Sequence, residues 1–307
     1  MASDSTFDRQ LEAAQAALLE HYAPETRVRR VRWSQGDTQV FEIGNGPPLL
    51  LVHGGMDNAF SWAPILHALA RDRHVIAVDL PGHGLADPFD FSHADLFAHA
   101  HTFLGDLLDA LDLPAVDLVA SSIGALYAVA FAADSPERVR RLVLAGSPAG
   151  MKRPGVPFQL RLLGLPLVGQ PLGRLLMSKP TREGNRKFWG QILVTHPERL
   201  DDRLLDADVA SQIRNADSHL SLVGCIADAG GLRRRWLLGA RWHGLQMPVL
   251  VLWGEDDAFL GFEKGQGVVS QNPHAHIIRI PDAGHVPWHD DPERVVKEVQ
   301  AFLSTSS

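Results

Sequence analysis

Polar and apolar positions divide the chain into segments of two periods. Near the start, Phe7 to Tyr22 repeats its apolar residues at helical spacing and predicts an amphipathic helix. Two strands are expected next, at Val28 to Trp33 and Gln39 to Ile43. From "PLLLVH" (Pro48 to His53) the strands become apolar throughout: "HVIAVDL" (His74 to Leu80), "VDLVAS" from Val116, and "VRRLVLAGS" (Val139 to Ser147). Helical segments separate them, around Trp62 to Ala70, Ala94 to Leu111 and from Ile123. Strands with no polar face, alternating with helices, imply a mostly parallel central sheet covered by helices on both faces, an α/β fold.

The rhythm stops at Pro148. To about Met247 the chain is rich in Leu, Arg, Gly and Pro, with helical periodicity and no convincing strand. It resumes with "PVLVLWGEDD" (Pro248 to Asp257), a helix, "HIIRIP" (His276 to Pro281) and a closing helix from Pro292 to Leu303. The expected organisation is one core, 1–147 and 248–307, with a helical cap inserted at 148–247. No internal repeat or low-complexity tract interrupts it.

Composition narrows the field. With 45% hydrophobic residues in 307, the chain can fill a large core. A formal charge of -7, from 29 Lys+Arg against 36 Asp+Glu, disfavours nucleic acid as a partner. The basic run "RVRRVRW" (Arg27 to Trp33) reads as an edge strand with one wet face, and "RRRW" (Arg233 to Trp236) as a solvated turn. A single cysteine, Cys225, rules out an internal disulfide, and "MASDSTFDRQ" has no secretory pattern, so a cytoplasmic location is expected. "FQLRLLGLPLVGQPLGRLLM" (Phe158 to Met177) comes nearest to a membrane span, but Gly, Pro and Arg break it, and pocket-facing lid helices explain its apolar residues better than membrane contact.

In an open parallel sheet, reactive groups gather beyond the carboxyl ends of the strands. One such end, "VASSIGA", carries two serines. A nucleophile on a sharp strand-to-helix turn needs small residues two before and two after it. Ser122 has Ala120 and Gly124 there, whereas Ser121 has Val119 and Ile123. Sterics select Ser122 as candidate nucleophile, against the competing reading of a serine that merely caps the helix. A serine needs a base, and a base needs an orienting acid. Among 15 histidines, His285 in "PDAGHVPW" follows the last strand and a Gly284 turn. His289 is expected as a surface or capping residue, and with Pro287 between them the two histidines do not form a metal pair. His274 and His276 read as surface residues. In "LWGEDDAFL", spacing after Gly254 favours Asp257 as the acid, with Asp256 as fallback. In "VHGGMDNAFSW", Gly54 and Gly55 allow a tight turn that aims a backbone N–H at a developing oxyanion. The expected donors are Gly55 and Ile123.

With these pieces in order, the chain resembles the α/β-hydrolase fold superfamily from about Val40 to its end, apart from the insertion. "HGG" resembles the oxyanion turn, "VDLPGHG" the turn after the next strand, "ASSIGA" the nucleophile elbow, "WGEDD" the acid turn and "AGHVPW" the histidine loop. The Ser, Asp, His order matches the superfamily's. Ala120 departs from the usual glycine, as in a minority of its lipases and esterases, while Asp79 and His83 read as structural. The resemblance implies an esterase-like serine hydrolase: Ser122 as nucleophile, His285 as general base then acid, Asp257 as orienting acid, no metal and no cofactor. It also implies that the insertion is a lid. Serine at the elbow disfavours dehalogenase and epoxide hydrolase chemistry, which use Asp there. Met56, Phe60, Ser121, Met177, Phe188, Trp189 and Trp288, with Leu162, Leu165 and Leu175, suggest a pocket for a small apolar ester or related acyl substrate. Two alternatives stand beside this: cleavage of carbon–carbon bonds in dienoate-type ring-fission products, and a non-catalytic ligand-binding protein on the same fold. Neither substrate identity nor oligomeric state follows from the sequence.

Overall fold

The computed structural model describes residues 5–153, 155–165 and 167–304. The expected core and insertion therefore extend, at 1–4, Pro154, Pro166 and 305–307, outside the described residues. Helix α1 (Ser5–Tyr22) leads into the antiparallel pair β1 (Arg27–Trp33) and β2 (Gly36–Ile43). Then follow β3 (Pro48–Val52), a 3-10 turn at Ala59–Trp62, α2 (Ala63–Leu69), β4 (His74–Val78), α3 (Leu96–Ala110), β5 (Val116–Ala120), α4 (Ser122–Asp134) and β6 (Val139–Ala145). The segment before the next sheet strand holds α5 (Phe158–Leu163), α6 (Gly169–Leu176), α7 (Arg182–Ile192), α8 (Asp202–Ile226) and α9 (Ala240–Gly244). It also holds a two-residue hairpin, β7 (Ala227–Asp228) with β8 (Gly231–Leu232), where no strand was expected. Strands this short carry no periodicity to read. The chain closes with β9 (Val249–Gly254), α10 (Phe262–Val269), β10 (Ala275–Ile280), α11 (Pro287–Asp290) and α12 (Pro292–Ser304).

The main sheet runs β1-β2-β4-β3-β5-β6-β9-β10, with every pair parallel from β4 onward. Alternation within each strand divides its side chains between two cores. Leu50, Val52, Ile76, Val78, Leu118 and Leu144 face α3 and α4. Leu49, Leu51, Val75, Ala77, Val143 and Leu252 face α1, α2 and α12. Both faces being covered explains why these strands read as unbroken apolar runs. At the sheet edge β1 buries only Val31 and Trp33, and Arg29, Arg30 and Arg32 pair with Glu42, Asp87 and Asp37. A wet, charged edge resists pairing with another chain.

Helix α8 is fastened to the core by polar contacts. Ser211 donates to Asn58 Oδ1 (2.8 Å), Asn215 to the Gly84 carbonyl (3.0 Å), and Arg214 to the carbonyls of Gly84 (2.8 Å) and Ala86 (3.0 Å). By contrast α5, α6 and the loop between them leave Phe158, Leu162, Leu167, Val168 and Leu175 exposed. Among the described residues no helix is long and apolar enough to cross a membrane.

Candidate active site

Strand β5 ends against a helix that begins without a connecting loop. Ser121 occupies the cap position in extended conformation but makes no capping bond with its side chain. Ser122, the first residue of α4, lies in the left-handed region at φ 51. A non-glycine residue there is strained, and such strain collects where a side chain must be presented. Small neighbours make the turn possible: a Cβ at position 124 would collide with the carbonyls of Val52 and His53. Ala120 is fully buried, so the turn forms with a methyl group at the position before it. The Ala149 N–H closes on the Ser122 carbonyl at 3.0 Å.

His285, in the loop between β10 and α11, is 2% exposed and its ring stacks on Phe259. Its Nδ1 lies 2.9 Å from Asp257 Oδ2. The Asp257 carboxylate also accepts the N–H of Ser147 at Oδ2 (2.8 Å), and at Oδ1 the Ser147 hydroxyl (3.0 Å) and the Phe259 N–H (2.8 Å). Burial alone would raise this carboxyl, but the nearby His285 charge, its hydrogen bond and the two backbone N–H groups hold it below its ordinary value. Asp256, the fallback acid, is exposed and receives the Thr195 hydroxyl, while Asp257, which spacing favours, faces His285. Nε2 of His285 is buried and has no partner among the described residues. Sequence reading missed Ser147, which lies two residues beyond the end of β6 and touches both His285 Nδ1 (3.2 Å) and Asp257. The rule that strand ends carry the chemistry would have found it.

The Gly54–Met56 turn is held from below by histidines. His83 Nε2 accepts the Met56 N–H (3.2 Å), which leaves Nδ1 protonated and donating to the Pro81 carbonyl (2.9 Å). His53 does the same, accepting from Leu80 N–H (2.9 Å) and donating to the Gly54 carbonyl (2.6 Å). Burial keeps both neutral, with His83 lowered to about 4. Asp79 accepts the N–H groups of Ala59 (2.8 Å) and Leu85 (3.0 Å), consistent with a structural role. Met56 itself sits at φ 63. A Cβ on Gly55 would come within 3.0 Å of Ile123 Cγ1, so the turn and the start of α4 are in close approach.

A cavity of about 90 Å³ opens over these groups, lined by Gly54, Gly55, Met56, Ser121, Ser122, Ile123, Ser147 and His285. The other walls come from the segment between β6 and β9: Leu160 of α5, Phe188, Trp189 and Ile192 of α7, and Leu222 and Val223 of α8. Of the expected pocket residues, Met56, Ser121, Phe188 and Trp189 line it. Phe60, Met177 and Trp288 do not. Phe60 points into the core from its 3-10 turn, and Trp288 stacks on Trp62 at 4.1 Å while donating to the Ser61 carbonyl. Met177 is buried at the end of α6, away from the cavity, and Leu162, Leu165 and Leu175 are also outside its walls. His289 is not a surface residue: it packs edge-on against Trp189 at 5.2 Å, reaches Ser61 Oγ at 3.4 Å, and burial lowers it to about 3. Asp57, Asp208 and Phe259 line the cavity and were not foreseen, because their direction depends on packing between distant segments. Among the described residues no cluster of His, Cys, Asp and Glu is arranged to hold a metal.

Comparison with known proteins agrees with this architecture. Residues 49–298 match the alpha/beta hydrolase family. The chain belongs to that family. It is 30% identical over 286 residues to an uncharacterized protein of Mycobacterium tuberculosis, covering 90% of this chain and 81% of that one. It is 29% identical over 290 residues to the 2-hydroxy-6-oxononadienedioate/2-hydroxy-6-oxononatrienedioate hydrolase 2 of Pseudomonas putida, covering 92% and 97%. Among solved structures, a carboxylesterase of Bacillus subtilis superposes with a TM-score of 0.76 at 21% identity, over 98% of this chain and 100% of its own, a likeness of fold.

Proposed function

We propose that this alpha/beta hydrolase is a serine hydrolase that cleaves a small, uncharged or cationic carboxylic ester through an acyl-enzyme. The observation that carries the reading is the buried, unpartnered Nε2 of His285 in the same cavity as Ser122, with Nδ1 held by Asp257. A ring nitrogen desolvated without a partner is costly, and a role in proton transfer accounts for its being kept. Ser122 attacks the acyl carbon, and His285 takes the hydroxyl proton at Nε2. The imidazolium so formed is stabilised by Asp257, and it returns the proton to the leaving alcohol. Gly55 and Ile123 offer their N–H groups to the oxyanion, each such donor contributing about 3 kcal/mol. Water then repeats the sequence on the acyl-enzyme. The helices between β6 and β9 serve as the lid.

Carbon–carbon hydrolysis is the second reading, favoured by the similarity to the Pseudomonas putida enzyme. The substrate in that enzyme's name is a dicarboxylate. Here the cavity carries two acids, Asp57 and Asp208, against one exposed lysine, Lys152. That charge balance opposes a diacid. The test compares wild type and Ser122→Ala on 4-nitrophenyl butyrate, a dienedioate and a fluorophosphonate probe. Wild type should cleave the ester and take the label, and the variant should do neither. Equal turnover and labelling in both would overturn the nucleophile, and faster cleavage of the dienedioate would replace the ester reading by the second.

A further inference from the structure

The cavity is apolar over most of its wall but has one acidic end. Asp208 projects from α8 and is 3% exposed. Its Oδ2 accepts three N–H groups, from Asn185 (2.7 Å), Trp189 (2.9 Å) and Gln212 (3.3 Å). Its Oδ1 accepts none among the described residues. Three donors on one oxygen fix the orientation of the carboxyl and leave the other oxygen to the cavity that Asp208 lines. An acceptor oxygen on the cavity side is available to a ligand N–H, and a charged donor makes the stronger hydrogen bond.

A second acid lines the same cavity. Asp57 follows directly on the Gly54–Met56 turn, with Oδ1 taken by the Asn58 N–H (2.8 Å). Burial pushes its carboxyl up to about 7, with the Asn58 N–H opposing and the charges of Asp208 and Asp79 adding to the rise. Burial likewise pushes Asp208 up to about 6 against its three donors. The charge of Asp208 is thus among the smaller causes that raise Asp57, and Lys152, the one lysine or arginine in the lining, is exposed. Like charges gathered in a low-dielectric site favour a cation that neutralises them.

We propose that Asp208, assisted by Asp57, forms a subsite for a protonated amine of the substrate, so that the preferred esters carry a basic nitrogen close to the scissile bond. The proposal rests on Ser122 being the nucleophile of the same cavity. The subsite supplies Oδ1 of Asp208 as acceptor for the N–H and the negative charge of both acids as counter-ion. The apolar wall holds the alkyl part.

The test separates binding from turnover. Binding of hexylammonium and of hexanol to the Ser122→Ala protein is measured by titration calorimetry at about pH 8, where the amine is protonated and both acids are ionised. The ammonium should bind about tenfold tighter. Adding Asp208→Asn keeps an oxygen for the three N–H donors and turns an NH2 toward the cavity, so the preference should vanish. Should that variant not fold, Asp57→Asn, on a loop, should reduce the preference several-fold. Equal affinities for the two ligands, or a preference that survives the substitutions, would overturn the subsite. Turnover is read with dimethylaminoethyl butyrate and its carbon counterpart isopentyl butyrate. If neither is cleaved while the ammonium preference stands, the hydrolase reading falls and the subsite remains. If isopentyl butyrate is cleaved without any ammonium preference, the reverse holds.

Discussion

Asp257→Asn should abolish most activity while leaving the protein folded. The two side chains have one shape, but the carboxylate accepts at both oxygens and the amide at one. If the amide NH2 takes the place of Oδ2, it faces the Ser147 N–H at 2.8 Å and forces His285 to accept at Nδ1. The ring proton then sits on Nε2, the atom that must receive the proton of Ser122. If the NH2 takes the place of Oδ1, it faces the Phe259 N–H at 2.8 Å. Either orientation sets two donors against each other, at about 1–3 kcal/mol of stability. Both remove the charge that stabilises the imidazolium, and the first also fixes the wrong tautomer. The expected loss in kcat/KM is about a thousand- to ten-thousand-fold, or about 4 to 5.5 kcal/mol. The assay is hydrolysis of 4-nitrophenyl butyrate, with melting temperature as the control for folding. Asp256→Asn, at an exposed acid that only receives Thr195, should stay within about twofold of wild type. A folded Asp257→Asn protein within tenfold of wild type would refute the role of this carboxylate.

Ser147→Ala removes one of several donors to Asp257 and should lower kcat/KM by about tenfold at unchanged KM, an effect checked on the same ester. Gly124→Ala should cost more than about 3 kcal/mol in urea unfolding, because the new methyl meets two backbone carbonyls, whereas Ala120→Gly should cost no more than about 1 kcal/mol. Burial lowers five histidines, His53, His83, His99, His219 and His289, and raises three carboxyls, Asp57, Asp79 and Asp208. Near pH 5 the unfolded chain protonates the five and ionises the three, so five less three gives a net uptake of about two protons, and stability falls on acidification by roughly 3 kcal/mol per pH unit. Melting temperatures between pH 6.5 and 4.5 test this, and a flat or rising trend would contradict it.

The sheet was legible in the sequence because both of its faces are buried: Leu49 to Val52 can be apolar throughout only where alternate residues meet two different cores. The candidate groups Ser122 and Asp257 follow two such runs, β5 and β9, whereas His285 follows β10, an edge strand whose side chains are mostly only half-buried or exposed. Less legible was whatever depends on direction. Phe60 and Trp288 lie near the motifs in sequence yet turn into the core, because a 3-10 turn and a stack on Trp62 fix where their rings go. Asp208 is a polar residue in a long helix with Gln212 one turn on, a pattern that on its own describes a solvated face. Only the packing of α7 against α8, which brings Asn185 and Trp189 to one oxygen, reveals that the residue is buried.

The same contacts constrain how the cavity opens. Helix α8 carries Asp208, and it is also fastened to the turn that supports the Gly54–Met56 backbone. Asn58 Oδ1 accepts both the Gly84 N–H (2.6 Å) and the Ser211 hydroxyl (2.8 Å), while Ser218 and Ser221 receive the N–H groups of Phe89 (3.2 Å) and Phe91 (3.0 Å). With the bonds from Arg214 and Asn215, moving α8 breaks several buried hydrogen bonds, each contributing about 1 kcal/mol. Helix α6 is tied to α8 by Gln170 on the Leu220 carbonyl (3.0 Å) and by the exposed pair Arg174–Asp217 (3.1 Å), which adds little. Displacement of α5 and α6 therefore costs less than displacement of α8, and their exposed Phe158, Leu167 and Val168 lose no burial by moving. If the cavity opens by displacement of a helix, the expected one is α5, whose Leu160 lines it, while Asp208 on α8 keeps its place.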